Sequence, residues 1–273
     1  MTLHADFTRV LKETSRTFFI PIARLPAKLQ EAVACSYLCM RAIDEIEDHP
    51  SLDDATKAAL LHKLSPILQA QIGAGKAQPG LAELEAFFSP FQSILPEVTL
   101  RIGDWLSSVP KDIAPRVWDA TISMTERMAY WAENHWQIKT ETDLDGYTFS
   151  VAGAVGLLIC DIWGWFDGTA IDRMCAVHFG RGLQAVNILR NQKEDSARGV
   201  NFYPTGWTDK HMFKYARKNL DLARAGISSM PDNSFKYFVD IPLLLAEATL
   251  NAIENGVGKL SREQVLQIVG TTT

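Results

Sequence analysis

Arg41-Ala42-Ile43-Asp44-Glu45-Ile46-Glu47-Asp48 closes a long apolar run that begins near Leu25. At 3.6 residues per turn, Asp44 and Asp48 stack on one helix face, with Arg41 one turn earlier and Tyr37 two turns earlier. Two carboxylates at that spacing repel each other unless a cation sits between them. Alone, such an acidic octet reads as a helix running out into solvent. A second segment, Asn187-Ile188-Leu189-Arg190-Asn191-Gln192-Lys193-Glu194-Asp195, changes the weighing. Asn187, Asn191 and Asp195 stack in the same way, and Asn191-x-x-Glu194-Asp195 repeats the pattern Asp44-x-x-Glu47-Asp48. Carboxylates projecting from facing helices are how helical bundles build metal sites. Hard oxygen ligands suit Mg²⁺, which would carry a substrate diphosphate.

The elements that must position these residues are helices. Apolar residues recur at helical spacing along almost the whole chain, and no alternating strand pair with a hairpin turn appears, so the fold class is all-α. A first helix is predicted over 3–14, and Pro21 and Pro26 then break the chain. Pro26 suits the first turn of the helix that carries the Asp44 motif. Ser51 or Asp53 caps the next helix, whose stripe of Leu60, Leu61, Leu64 and Leu68 runs to about residue 72, and 73–80 reads as an exposed loop. Further helices are predicted over 81–91, 96–107 and 111–140. In the last, Trp118, Met124, Met128 and Trp131 share a broad face, which is either core or the wall of an apolar channel. Residues 144–166 are rich in small side chains and carry Tyr147 near their start. Residues 169–195 carry the second motif, and 209–225, 233–255 and 261–268 complete the bundle.

Composition narrows the class. The chain has 273 residues and a mass of 30.4 kDa, with no evident linker, so one domain over 1–273 is expected. A net charge of -5 without a basic stripe argues against a nucleic-acid partner. Cys35, Cys39, Cys160 and Cys175 form no C-x-x-C pair and read as reduced core residues of a cytosolic protein. The histidines show no H-E-x-x-H spacing, and His135 and His178 read as packing residues. Residues 1–14 lack an apolar signal core, so no secretory peptide is expected. The most lipophilic run, Val151 to Cys160, is ten residues long, against about 20 for a bilayer span. It reads as a buried helix.

Four blocks carry a family resemblance: Thr14-Ser15-Arg16-Thr17-Phe18, the stretch from Tyr37 to Asp48, Tyr147 with Val151-Ala152-Gly153, and Gly180-Arg181-Gly182-Leu183-Gln184-Ala185-Val186-Asn187-Ile188-Leu189-Arg190. In order and separation they resemble the squalene/phytoene synthase family, over residues 5–255 or so. The resemblance implies a single-domain isoprenoid-synthase-type helical bundle with a central apolar cavity. It also implies Mg²⁺-dependent, head-to-head coupling of two prenyl diphosphates, farnesyl (C15) or geranylgeranyl (C20). The product would be of squalene or phytoene type, or its cyclopropyl intermediate. Position by position, Asp44 and Asp48 would hold Mg²⁺ against the first diphosphate with Glu47 supporting them, and Asn191 and Asp195 would serve the second metal position. Ser15, Arg16, Tyr37, Arg41 and Arg190 match positions that contact diphosphate or stabilise its departure. Gln184 and Asn187 match polar positions of the second motif helix, and Tyr147 matches a tyrosine of the catalytic centre. Such substrates partition into lipid, so a cytoplasmic location with peripheral membrane contact is compatible with the chain.

The residue chemistry agrees with that assignment. Ionising an allylic diphosphate needs charge stabilisation on the leaving group, best supplied by Mg²⁺ and arginines in a water-poor pocket. The carbocation left behind needs walls that neither attack nor hydrate it, a role for aromatic faces, and the chain has 7 Trp, 13 Phe and 6 Tyr to choose from. Two positions depart from the family pattern. Asn191 stands where an aspartate is usual, which removes a charge worth on the order of a few kcal/mol beside Mg²⁺. Val200 stands where phytoene synthases usually have an arginine, with Arg198 the nearest substitute. Both departures concern the second diphosphate site. They keep open transfer of the prenyl group to water or an aromatic acceptor, and also cyclisation, since Asn187-x-x-x-Asn191-x-x-x-Asp195 resembles the metal triad of class I terpene cyclases. A non-catalytic scaffold is a further alternative, against which intact Arg41, Asp44, Glu47, Asp48 and Tyr147 speak.

Overall fold

The computed structural model describes residues 5–15, 18–73, 81–197 and 199–270. Among them there are only helices and connections, as the apolar periodicity requires. The chain divides into two compact units, one built from residues up to 135 together with 161–168, the other from 136–160 and from 169 onward.

The first unit begins with α1 (Ala5–Ser15) and the short α2 (Phe19–Ala23), followed by α3 (Ala27–Glu47) and α4 (Asp54–Gly73). Then come α5 (Leu81–Phe88), a 3₁₀ turn at Ser89–Phe91, α6 (Glu97–Leu100), α7 (Ile102–Ser107) and α8 (Ala114–Glu133). Pro26 stands immediately before α3, where its missing N–H costs nothing. Thirteen of the 21 residues of α3 are buried, so it is a core helix rather than a surface one. It packs against α4, α6, α7 and α8, with Leu38, Ile43, Ile46, Leu61, Leu64, Trp105 and Met128 in the shared core. Trp118, Met124, Met128 and Trp131 are all buried, as their shared face predicts.

The second unit contains α9 (Glu141–Thr148), a π-helical turn at Phe149–Gly153, α11 (Arg173–Ala197), α12 (Asp209–Ser228), α13 (Ser234–Glu254) and α14 (Arg262–Gly270). Helix α10 (Ala154–Asp167) starts in this unit and ends in the first. Thr140 and Asp143 close a capping box on α9, and the Asn233 side chain accepts from the Lys236 N–H at 3.0 Å to start α13. Helix α11 is central, packing on α12, α13, α9 and the π turn.

Several boundaries differ from expectation. Pro21 lies inside α2 rather than breaking the chain, because in a first turn its N–H is not needed. The helix expected over 96–107 is split at Arg101, whose φ of -103° and ψ of 20° leave the helical region. The helix expected over 111–140 stops at Glu133 because His135 and Trp136 turn left-handed, with φ of 49° and 46°. Such a stop normally uses glycine, so the sequence carries no signal for it. Asp53, not Ser51, caps α4, its carboxylate accepting from the Thr56 N–H at 2.7 Å. Residues 74–80 of the expected loop lie outside the described residues. The run Val151 to Cys160 belongs to a continuous helix, Glu141–Asp167, of 27 residues. By length and composition alone that helix could cross a membrane, a test that core helices of soluble proteins also pass. Val151, Ala154, Val155, Leu157 and Ile159 are only half-buried, so the helix expected to be buried is half-buried on part of its surface. No disulfide joins the four cysteines, all of which are buried.

Close packing in the second unit depends on two glycines. A Cβ on Gly180 would lie 2.4 Å from the Ala152 carbonyl oxygen, and one on Gly156 would lie 2.3 Å from that of Ala176. Both obstacles are backbone, so neither can swing aside. Gly180→Ala should therefore lower stability by about 1–3 kcal/mol. Gly164→Ala, in open space within α10, should instead raise it by about 0.5–1 kcal/mol. Paired thermal melts of the two variants check both signs.

Candidate active site

At the C-terminal end of α3 the carboxylates of Asp44, Glu47 and Asp48 converge, one oxygen from each lying within 4.8 Å of the others. Their environments differ: Glu47 is buried, Asp44 half-buried and Asp48 exposed. Burial, and then the charge of Asp48, push the Asp44 carboxyl up to about 7, although Arg41 pulls the other way. Burial, followed by Asp48 and Asp44, drives Glu47 well above the ordinary carboxylate range. Once deprotonated, three converging carboxylates offer hard oxygen donors that fit a divalent cation such as Mg²⁺.

Arg41 reaches Asp44 at 2.5 Å and Glu45 at 2.5 Å along the same helix. Burial opposes its charge, and the two carboxylates more than offset that. Its Nε is buried without a hydrogen-bond partner among the described residues, and so is the hydroxyl of Ser15. A buried donor left unmade costs about 1–3 kcal/mol, and anionic oxygens would satisfy both. The Tyr37 hydroxyl donates to the Thr14 carbonyl at 3.1 Å, so α3 holds the end of α1, with Ser15 following directly. Burial raises the Tyr37 phenol above its ordinary range, so it stays protonated and keeps donating.

In the second unit, Gln184, Asn187, Asn191 and Asp195 all lie on α11, and the spacing of Asn187, Asn191 and Asp195 keeps these three on one face. Asp195 is buried, while Gln184, Asn187 and Asn191 are half-buried. The Asn187 amide donates to Gln184 Oε1 at 3.4 Å, and Arg190 donates through Nε to Asn191 Oδ1 at 3.2 Å. Arg190 is exposed. Tyr147 is buried, its ring stacked on Phe202 with centroids 4.7 Å apart. Arg16 and Arg198 lie outside the described residues.

The structure adds residues that sequence reasoning missed. Phe202 belongs to the connection after α11 and has no periodic signal. Asp145 accepts from the Tyr215 hydroxyl at 2.7 Å, which also meets the Thr148 hydroxyl at 3.1 Å. The Arg181 guanidinium lies 3.6 Å from the same carboxylate and donates to the Asp145 carbonyl at 3.3 Å. This network fixes α9 to α11 and α12 within two residues of Tyr147, beside the π turn, and π turns are frequent at functional sites. An open cavity of about 600 Å³ flanks the end of α11, lined by Gln192, Ser196, Val200, Tyr203, Trp207 and Lys210 among others. His178, half-buried, is a satisfied packing residue against Asn219 Oδ1 at 2.9 Å, whereas His135 is exposed and pairs with Asp54 Oδ2 at 2.7 Å instead of packing as expected.

A helical bundle with an acidic cluster ending a core helix defines the class, an isoprenoid-synthase-type fold. The solved structure of TcSQS with the ligand E5700 superposes with a TM-score of 0.74 at 21% identity, covering 98% of this chain and 85% of that one. A dehydrosqualene synthase in complex with ligand gives 0.72 at 17% identity, covering 98% and 94%. The squalene/phytoene synthase family profile matches residues 11–214, and the chain belongs to that family. Human squalene synthase is 26% identical over 257 residues, covering 90% of this chain and 58% of the human protein. Lycopaoctaene synthase of Botryococcus braunii is 24% identical over 306 residues, covering 97% of this chain and 65% of the algal one. The chain thus spans under two thirds of the length of these relatives.

The raised Asp44 carboxyl gives a signed pH dependence. Its folded value of about 7 lies above the ordinary 3.8, so the stability it contributes is full below about pH 4 and lost as pH rises through about 7. In metal-free buffer, the stability of Asp44→Asn relative to wild type should therefore climb between about pH 4 and 7 and then level off. Added Mg²⁺ should raise the melting temperature of the wild type at pH 8 and leave Asp44→Asn unmoved. Thermal melts across pH, with and without Mg²⁺, measure both.

Proposed function

We propose that this chain is a Mg²⁺-dependent prenyltransferase that ionises an allylic C15 or C20 prenyl diphosphate and couples it head to head with a second. The product would be of squalene or phytoene type, or its cyclopropyl intermediate. The carboxylate cluster of Asp44, Glu47 and Asp48 carries the reading, in a chain whose residues 11–214 match the squalene/phytoene synthase family. The proposal includes one working domain over 1–273 with a central apolar cavity, and a cytoplasmic location with peripheral membrane contact.

Asp44 and Asp48 would hold Mg²⁺, with Glu47 supporting them, and Asp195 and Asn191 would serve the second position. When bound, Mg²⁺ supplies charge neutralisation to the diphosphate leaving group. Arg41, through its unsatisfied Nε, and the Ser15 hydroxyl bind phosphoryl oxygens, which removes the cost of two orphaned donors. Arg16 and Arg190 would contact diphosphate, as the match to the family's positions implies. Gln184 and Asn187 would orient the diphosphate of the second substrate, and Arg198 is the nearest arginine in sequence to the position that Val200 takes. Tyr147, buried and stacked on Phe202, presents an aromatic surface that stabilises a carbocation without attacking it. The half-buried Val151, Val155, Leu157 and Ile159 suit a hydrocarbon tail.

A second reading rests on Asn191, whose amide oxygen already accepts from Arg190 and carries no charge. A weakened second site favours transfer to another acceptor, such as water or an aromatic ring, or cyclisation. Incubation with C10, C15 and C20 diphosphates, singly and in pairs, should give Mg²⁺-dependent diphosphate release and a coupled lipid. Binding without release would instead indicate a scaffold. Asn191→Asp should raise the share of head-to-head product by roughly tenfold, given the charge it restores. An unchanged rate and product spectrum would count against the altered second site.

A further inference from the structure

Tyr147 stands on the last turn of α9, just before the π turn at Phe149–Gly153. That turn carries one residue more than an α-helix would, for the Ala154 N–H donates to the Phe149 carbonyl, five residues back. Winding the extra residue into α-helix would rotate α9 against the start of α10 by about 100°. The direction of the Tyr147 ring therefore depends on what holds α9 in phase. Tyr215 does so from α12, which itself packs along α11. It is buried, and its hydroxyl lies 2.7 Å from Asp145 Oδ1 and 3.1 Å from the Thr148 hydroxyl. A carboxylate only accepts, so Tyr215 donates to Asp145 and Thr148 donates to Tyr215. Burial raises the Tyr215 phenol above its ordinary range, so it keeps the proton that it donates. Both partners belong to α9, one turn apart, and the phenol oxygen bridges them. Arg181 of α11 meets the same carboxylate at 3.6 Å and donates to the Asp145 carbonyl at 3.3 Å. By helix pitch Asp145 and Thr148 face one side of α9, while Tyr147 points roughly 130° away from them. There its ring stacks on Phe202. The bridge thus grips the back of the turn whose front presents Tyr147.

We propose that Tyr215 is a positioning residue for prenyl transfer: its hydroxyl, bridging Asp145 and Thr148, fixes the rotation of α9 and so aims the Tyr147 ring at the bound hydrocarbon. The inference rests on the carbocation role given to Tyr147 above. Phe202 alone does not fix that aim. Aromatic pairs accept centroid separations from about 4.5 to 7 Å, whereas hydrogen bonds weaken steeply once bent. Gly180 gives the π turn room beside α11 but makes no directional bond to α9. Two hydrogen bonds converging on one buried oxygen define both a distance and an angle, and Tyr215 supplies them.

The test uses the full chain labelled with meta-fluorotyrosine, read by fluorine NMR in chelator and by diphosphate release from farnesyl diphosphate with Mg²⁺. Tyr147→Phe assigns the Tyr147 signal. Tyr215→Phe keeps the ring and its edge contact with Trp207, centroids 6.0 Å apart, and removes only the hydroxyl. In it the Tyr147 signal should shift and broaden, kcat should fall about tenfold, and KM should stay within about twofold, because the ring acts on charge that develops only in the transition state. Thr148→Val removes one arm of the bridge and should move both readouts in the same direction. The double variant should be no slower than Tyr215→Phe, since the bridge is already gone. If Tyr215→Phe does not fold, Thr148→Val decides on the same two readouts. A Tyr147 signal that keeps its wild-type position, a loss carried by KM alone, or additive losses in the double variant would each overturn the proposal. A lower melting temperature with signal and kcat unchanged would also overturn it, leaving Tyr215 a packing residue. A wild-type chain that releases no diphosphate would sink the prenyltransferase reading instead, and the fluorine signal would still decide whether Tyr215 sets the aim of Tyr147.

Discussion

Like charges are held together at the end of a core helix, and the rest of the molecule is organised to tolerate this. Carboxylate oxygens within 4.8 Å of one another repel, when ionised, by about 3 kcal/mol or more per pair at an effective dielectric near 20. A fold stable by some 5–15 kcal/mol cannot carry three such contacts uncompensated. Compensation comes from Arg41 on the same helix and from protons that Asp44 and Glu47 retain well above the usual range. A divalent cation would replace those protons. The same charge imbalance is what would make the cluster a ligand for a divalent cation and, through it, for a diphosphate.

Rigidity around the cluster follows from ordinary packing. Helix α3 is buried on most of its surface, so its last turn cannot relax outward to separate the carboxylates. Helix α1 is fastened by the Tyr37 hydroxyl and by an ion network in which Arg9 meets Asp6, Glu13 and Glu97, and Arg101 meets Asp6, Glu97 and Asp104. Individually these exposed pairs contribute little. Shared carboxylates make them a net that orients the end of α1, where Ser15 offers its unsatisfied hydroxyl. In the second unit the equivalent work is done by contact rather than charge. Gly180 lets α11 approach the π turn closely, and Asp145, Arg181 and Tyr215 lock α9 two residues before Tyr147.

Much of the architecture was legible because helical periodicity and capping chemistry are local. The long helices carrying both motifs, the all-α class and the i, i+4, i+8 stacking of Asn187, Asn191 and Asp195 could be read from spacing. Helix ends were less legible. The left-handed His135 and Trp136 end α8 without glycine, and Arg101 splits a predicted helix with no proline or glycine nearby. Burial outside the helix stripes was hidden as well. Lys57 looks like any surface lysine at the start of a helix, and Phe202 like any loop aromatic.

The sequence alone determined which residue types stand where: carboxylates one helical turn apart, an arginine one turn earlier, an asparagine in place of an aspartate, and small residues before the second motif. Covalent order and helix pitch suffice for those. The tertiary structure alone decided how each group is solvated and paired. It made Asp44, Glu47 and Asp48 unequal, buried Lys57, stacked Tyr147 on Phe202, and left Ser15 and Arg41 with donors to spend. Solvation depends on neighbours distant in the chain, and a charge changes its chemistry with the dielectric and the partners around it.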